Sequence, residues 1–299
     1  TGVVYQLERI PELCMDKKLS AVFQYLLYYQ KTLIILHTGG YYMKLLIVRH
    51  GDPDYVNDTL TEKGRREAAL LAKRAVSMNM GECYKSPLGR AKDTAAPCLE
   101  VTGKTAEILD WLQEFPAQVD LNKNPELEKA YPDVKKEGGY FLPRIAWDMV
   151  PGYWTEHEAY MDKNTWRETE VAKNSDLVEV YDHVIEEFDR FLAEHGYVRE
   201  GAHYRVEKES DETVTFFCHF GISCVLLSHL WNVSPFVLWH CLALAPTSVT
   251  EVVTEEREQG TAYFRGLKVG DISHLYAGGE EPSFAARFCE TYSNKEQRH

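Results

Sequence analysis

The sequence predicts an α/β protein: an open, three-layer, largely parallel sheet with helices on both faces and a lid-like insertion. Three observations predict it. Short unbroken apolar runs, of which Leu45-Leu46-Ile47-Val48 is the clearest, suit strands buried on both faces. Segments with apolar residues at helical spacing alternate with these runs. From Phe115 to Pro151 all periodicity fails, and five of the twelve prolines fall there, as expected of an inserted segment.

The elements follow in order. After the Leu45–Val48 strand, Thr61 reads as a helix N-cap, with Glu62 in the first turn. Ala68, Leu71, Ala72, Ala75 and Val76 then make one apolar face. A short strand is expected near Glu82 to Tyr84. Ser86-Pro87-Leu88 breaks it and opens a helix that carries Arg90, and a strand at about Ala106 to Leu109 follows. The insertion covers about residues 115–165, with Tyr131, Tyr140 and Trp147 as candidates to cover a pocket. Asp176 and Glu179 read as a capping box for a helix that Gly196 ends. Val214 to Cys218 is a strand, about Ile222 to Trp231 a helix, and strands near Val249 to Val253 and Ala262 to Leu267 close the pattern.

Residues 1–42 are read as an N-terminal extension outside the native domain, which then spans 43–299 and begins naturally at Met43. The apolar stretch Leu19 to Leu36 is interrupted by Gln24, Gln30 and Lys31, so a membrane span is not expected. The formal net charge of -13 disfavours nucleic acid and anionic lipid, because both are bound through clustered Lys and Arg. An anionic substrate would therefore need a local positive pocket. Seven cysteines, an odd count with no C-x-x-C, argue for reduced thiols in a cytoplasmic protein rather than disulfides or a zinc ribbon. No His-Glu-x-x-His run supports a metallohydrolase, and no metal or organic cofactor is expected.

Ligands of such sheets bind beyond the carboxyl ends of the strands. Arg49 and His50 follow one strand directly and His219 follows another, so two histidines are placed at one edge. The residue types suit a phosphate ester. Guanidinium groups neutralise its oxygens, a neutral imidazole attacks phosphorus, and a carboxylic acid protonates the leaving group. Cys218 beside His219 is a poor nucleophile candidate, since adjacent strand residues face opposite ways.

At these residues the chain resembles the histidine phosphatase superfamily, which includes cofactor-dependent phosphoglycerate mutases and many broad-acting phosphatases. The resemblance rests on Arg49-His50-Gly51, Leu60-Thr61-Glu62-Lys63-Gly64, Ser86-Pro87-Leu88-Gly89-Arg90-Ala91, His219 and Ser273-His274-Leu275, in that order. It implies that His50 becomes transiently phosphorylated and that Arg49, Arg90 and His219 hold the phosphoryl oxygens. It implies Glu114 as the general acid of the mutase-like branch, with Asp52 and Glu82 as competitors. In the other branch an Asp follows the second histidine, where this chain has Phe220. An Asn often lies six residues after the nucleophile. Here that residue is Val56, and the phosphate contact is carried to Asn57 instead. Many members have Gly directly after the second histidine, but here it is one residue on, at Gly221. No Arg-x-Tyr-Gly segment follows Glu114, which favours a phosphomonoesterase of small phosphate esters over a mutase. A catalytically inactive phosphate-binding module is the alternative from another class.

Overall fold

A computed structural model describes residues 42–284, together with 291 and 293. The extension, except for Tyr42, and its Leu19–Leu36 stretch lie outside the described residues.

The sheet has eight strands. In chain order they are β1 (Lys44–Arg49), β2 (Glu82–Lys85), β3 (Ala106–Ile108), β4 (Tyr197–Glu200), β5 (His203–Val206), β6 (Thr213–Cys218), β7 (Val249–Glu258) and β8 (Thr261–Asp271). Their spatial order is β4-β5-β8-β7-β1-β6-β2-β3. From β1 outward through β6, β2 and β3 the strands are parallel. On the other side of β1 the pairings are antiparallel, because β7–β8 and β4–β5 are hairpins. The expected parallel sheet is therefore the half that ends in Arg49 and Cys218. The β4–β5 hairpin escaped the sequence reading because its exposed edge residues dilute the apolar signal.

Alternation along β1 divides the core. Leu45 and Ile47 face one layer, with α3 (Leu177–Glu194), α4 (Phe220–Trp231) and α5 (Pro235–Cys241). Leu46 and Val48 face α1 (Glu62–Ala75) and α2 (Gly89–Thr102). Both faces are covered, which is why all four residues are apolar. Thr61 caps α1 by accepting the Gly64 N–H at 3.1 Å. Val76 lies beyond the last turn of α1 and is exposed rather than part of its apolar face. The Asp176–Glu179 capping box does not form. The Asp176 carboxylate instead accepts the Gln118 N–H at 2.8 Å and ties the insertion to the start of α3. Gly196 does end α3, at φ +92°.

The insertion is built into the larger core. Tyr131, Trp147, Trp154 and Tyr160 are all buried. Trp147 lies 5.9 Å from the Phe220 ring and 6.2 Å from Trp239, and its Nε1–H donates to the Phe115 carbonyl at 3.2 Å. These buried rings serve as anchors while the backbone runs irregularly at the surface, whereas Tyr140 is exposed. Trp147→Ala should therefore cost the whole domain about 3–5 kcal/mol, the usual loss for a buried Trp. Urea unfolding should show this as one shifted cooperative transition. A main transition left in place would identify a separable lid.

Candidate active site

The site begins with strand register. Arg49 on β1 pairs with Cys218 on β6, so the residues that follow each strand leave the sheet side by side. The His50 N–H donates to the Cys218 carbonyl at 3.0 Å, and the Ser86 N–H, past the end of β2, donates to Phe217 at 2.9 Å. The His50 and His219 rings stand 5.0 Å apart, tilted by 57°. Both are essentially fully buried, as are Arg49 and Arg90.

Hydrogen bonds assign the two imidazoles different tasks. Nδ1 of His50 lies 2.7 Å from the Gly51 carbonyl. A carbonyl only accepts, so Nδ1 carries the proton and Nε2 keeps its lone pair. His219 is reversed. Its Nε2 lies 2.7 Å from Ser86 Oγ, and its Nδ1 has no partner in the protein. With the Ser86 hydroxyl donating, Nδ1–H of His219 is free to donate into the site. Arg49 Nε and Arg90 Nε are likewise buried and unpartnered. A buried unsatisfied donor costs about 1–3 kcal/mol. Three around one imidazole are best explained as a receptor for an anion's oxygens.

Each guanidinium is anchored at its other end. Arg49 NH1 donates to the Leu244 carbonyl, and the Phe220 ring lies 5.6 Å from its central carbon. Arg90 NH1 pairs with Asp58 at 2.8 Å and sits 5.4 Å from the Tyr55 ring. Burial opposes ionisation of Asp58, but the Gly89 N–H and Arg90 outweigh it and hold the carboxyl below its usual value. Gly89 has to be glycine here, because a Cβ would meet the Asp58 carbonyl oxygen at 2.0 Å.

Burial, then the Arg49 charge, holds His50 well below the ordinary histidine pKa, with Arg90 adding to the effect. His219 is lowered in the same way by burial, His50 and the two arginines. Burial also lowers Arg49. Glu114 shifts the other way. Burial raises it, against the Phe115 N–H, the two arginines and the Ile222 N–H. Its Oε1 accepts from Phe115 at 2.9 Å and from Ile222, in the first turn of α4, at 3.1 Å. Gly221 permits this approach, since a Cβ there would lie 2.7 Å from Oε1. Cys218 is pushed up to about 12 by burial, which leaves it a thiol.

The fold thus brings Arg49, His50, Arg90, Glu114 and His219 together. It does not bring Asn57, which is exposed and whose carboxamide donates to Asp54 at 2.8 Å. The loop after His50 is too short to carry Asn57 inward, and Asp58 and Tyr55 occupy the position beside Arg90 instead. Of the competing acids, Glu82 is exposed and accepts from the Tyr84 hydroxyl, while Asp52 is turned to Thr61 and Ser283. Sequence reasoning missed Ser86 as the partner of His219 and Asp58 as the partner of Arg90. It also missed Thr247, a β-branched residue at φ +57° whose N–H donates to the His50 carbonyl. Only Ser86 carried a signal, as part of a motif.

Among the described residues no cluster of three or more His, Cys, Asp or Glu is arranged to hold a metal ion. No helix among them is long and apolar enough to cross a membrane.

Residues 45–140 match the family model described as histidine phosphatase superfamily, branch 1. That match spans the segment that carries Arg49, His50, Arg90 and Glu114. It is 24% identical over 247 residues to a probable phosphatase of Schizosaccharomyces pombe, covering 78% of this chain and 95% of that protein. Among solved structures it is similar to a mycobacterial glucosyl-3-phosphoglycerate phosphatase with inorganic phosphate, at 17% identity and a TM-score of 0.48, covering 77% of this chain and 98% of the other. It is also similar to a phosphoserine phosphatase mutant of Entamoeba histolytica in complex with phosphoserine, at 16% identity and a TM-score of 0.48, covering 78% and 99%.

Because burial and the two arginines lower the pKa values of both site imidazoles, both should stay neutral through the ordinary histidine range. Imidazole ¹⁵N spectra of the free protein should show His50 and His219 gaining a proton only well below the usual histidine range. Orthovanadate or phosphate, by adding negative charge, should raise both. Coincident titration of all histidines would contradict this electrostatic picture.

Proposed function

We propose that this chain is a phosphomonoesterase that acts on small phosphate esters through a phosphorylated His50. The observation that carries the reading is the set of three unpartnered buried donors around an imidazole whose Nε2 is free. The family-model match over residues 45–140 and the similarity to a probable phosphatase support it.

In the proposed reaction the phosphoryl oxygens are held by Arg49 Nε, Arg90 Nε and His219 Nδ1–H. The Nε2 lone pair of His50 forms the bond to phosphorus as the ester P–O bond breaks. The leaving oxygen takes a proton from Glu114, whose raised pKa keeps one available. Water, deprotonated by the Glu114 carboxylate, then attacks the phosphohistidine, and inorganic phosphate departs. Two guanidiniums and an imidazole supply the positive charge that a metal supplies elsewhere. The described cysteines are free thiols, mostly buried, which supports a reducing, cytoplasmic setting.

Rapid quench during turnover of a ³²P-labelled ester should trap an acid-labile, base-stable phosphoenzyme, and His50→Ala should abolish it. Label on a cysteine or serine would end the reading. The same turnover should survive exhaustive chelation.

Glu114 is tested by the leaving group. An alkoxide needs protonation as it leaves, whereas a nitrophenolate needs far less help. Glu114→Gln should slow alkyl-phosphate hydrolysis by about 10²–10⁴, the usual range for general acid catalysis, and slow aryl phosphates much less. In the parent enzyme the alkyl-ester rate should fall as pH rises through the Glu114 pKa, and Glu114→Gln should flatten that limb. Equal losses on both substrates would assign Glu114 to holding the arginines.

A further inference from the structure

A second buried carboxyl group near the site takes no part in the proposed chemistry. Glu67, on α1, has no exposed surface. Its Oε2 accepts the Asp52 N–H at 2.9 Å, and its Oε1 accepts the Ser283 N–H at 3.0 Å. The Asp52 nitrogen belongs to the same peptide unit as the Gly51 carbonyl, and that carbonyl receives Nδ1–H of His50 at 2.7 Å. One planar peptide therefore joins a buried carboxylate to the back of the attacking imidazole.

We infer that Glu67 is a positioning residue for His50, which holds and polarises the Gly51–Asp52 peptide so that its carbonyl fixes Nδ1–H and leaves Nε2 free to attack. The inference rests on the reading of His50 as nucleophile. Its physical basis is hydrogen-bond cooperativity. A charged acceptor at the amide N–H draws electron density toward the carbonyl oxygen and makes it a stronger acceptor at its other end. The effect grows as Nε2 bonds to phosphorus, because the imidazole then gains positive charge and Nδ1–H becomes a stronger donor. In a serine protease triad the carboxylate touches the imidazole directly. Here a peptide stands between them. No proton moves along the chain, and Glu67 neither gains nor loses one during the reaction.

The C-terminal segment after α6 (Ser273–Gly278) closes this arrangement. The Ser283 hydroxyl bonds the Asp52 carboxylate, and Glu280 pairs with Lys63 at 2.9 Å and Arg66 at 3.0 Å on α1. The charges that face Glu67 are Lys63, 3.9 Å from Oε1, and Arg66 on its own helix, Asp52 from the loop, and Arg49 from β1. Burial outweighs the two N–H groups and Lys63, with Asp52 adding to it, and raises Glu67 to about 7. Its charge therefore changes within the range in which the enzyme would be assayed.

The test compares the parent enzyme with Glu67→Gln on p-nitrophenyl phosphate across neutral pH. Substrate ionisation and Glu114 are common to both, so they cancel in the ratio of kcat/KM values. On the alkaline side the parent should be faster by about 10–100-fold, the range for hydrogen-bonding partners behind ligand histidines. On the acid side, where Glu67 is protonated and resembles Gln, the ratio should fall toward one. A ratio independent of pH would mean a merely structural role and overturn the inference. The free enzyme gives a second readout that needs no turnover. The His50 Nδ1–H resonance should follow the Glu67 ionisation in the parent protein, and its failure to do so overturns the inference even if Glu67→Gln does not fold. Absence of any phosphoenzyme in the parent would instead sink the nucleophile reading, which this spectrum does not depend on.

Discussion

Positive charge out of water is the constraint on which the rest of this structure depends. Arg49, Arg90, His50 and His219 are buried at one sheet edge in a chain of net charge -13. Burying an unpaired charge costs several kcal/mol, and the fold meets that cost unevenly. Arg90 is given Asp58. Arg49 is given a backbone carbonyl, an aromatic face and the less direct charges of Glu114 and Glu67. The imidazoles respond by staying neutral. An anionic phosphate group, the ligand proposed above, would partner the positive charge that remains.

Neutral histidines are also the useful ones. Protonated His50 would have no lone pair, and the neighbouring guanidiniums make that form unfavourable. The same burial that lowers the imidazoles raises Glu114, because desolvation always disfavours the charged form. One physical effect therefore moves the imidazoles and the carboxyl in opposite directions, as the proposed nucleophile and acid require. The backbone then sets direction. The Gly51 carbonyl orients His50 and the Ser86 hydroxyl orients His219.

The insertion contributes through packing. Phe115, next to Glu114, lies 5.3 Å from Trp239, and Trp147 is hydrogen-bonded to the Phe115 carbonyl. Glu114 is thus carried on a segment clamped by aromatic rings and aimed at the first turn of α4. A carboxyl on a loose loop would sample water and recover an ordinary pKa. The aromatic anchors keep it dry, and Gly221 leaves room for it against the helix.

How much of this was legible in the sequence follows from the range of each interaction. Apolar runs marked β1 and β6, the second interrupted by Thr215, because both faces of those strands are covered. His50 and His219 could then be placed at one edge, since parallel strands end on the same side. Arg90 was legible from a local motif after β2. What the sequence could not show depends on contacts between residues far apart in the chain. The sheet turns antiparallel beyond β1 because β7 returns beside it, and no local pattern encodes that neighbour. Asn57 and Asp58 differ by one position, and only the path of the short loop decided that Asp58 meets Arg90. Tyr131 and Trp147 of the insertion read as a cover, but both pack into the core, and only Tyr140 stays exposed. Nothing local in the sequence sets Glu67 apart from the other charges of its helix. The sequence by itself determined the strand ends and the residue types that chemistry requires there. Tertiary structure alone decided their protonation states, tautomers and partners, because those depend on burial and on hydrogen bonds that exist only once distant segments are packed together.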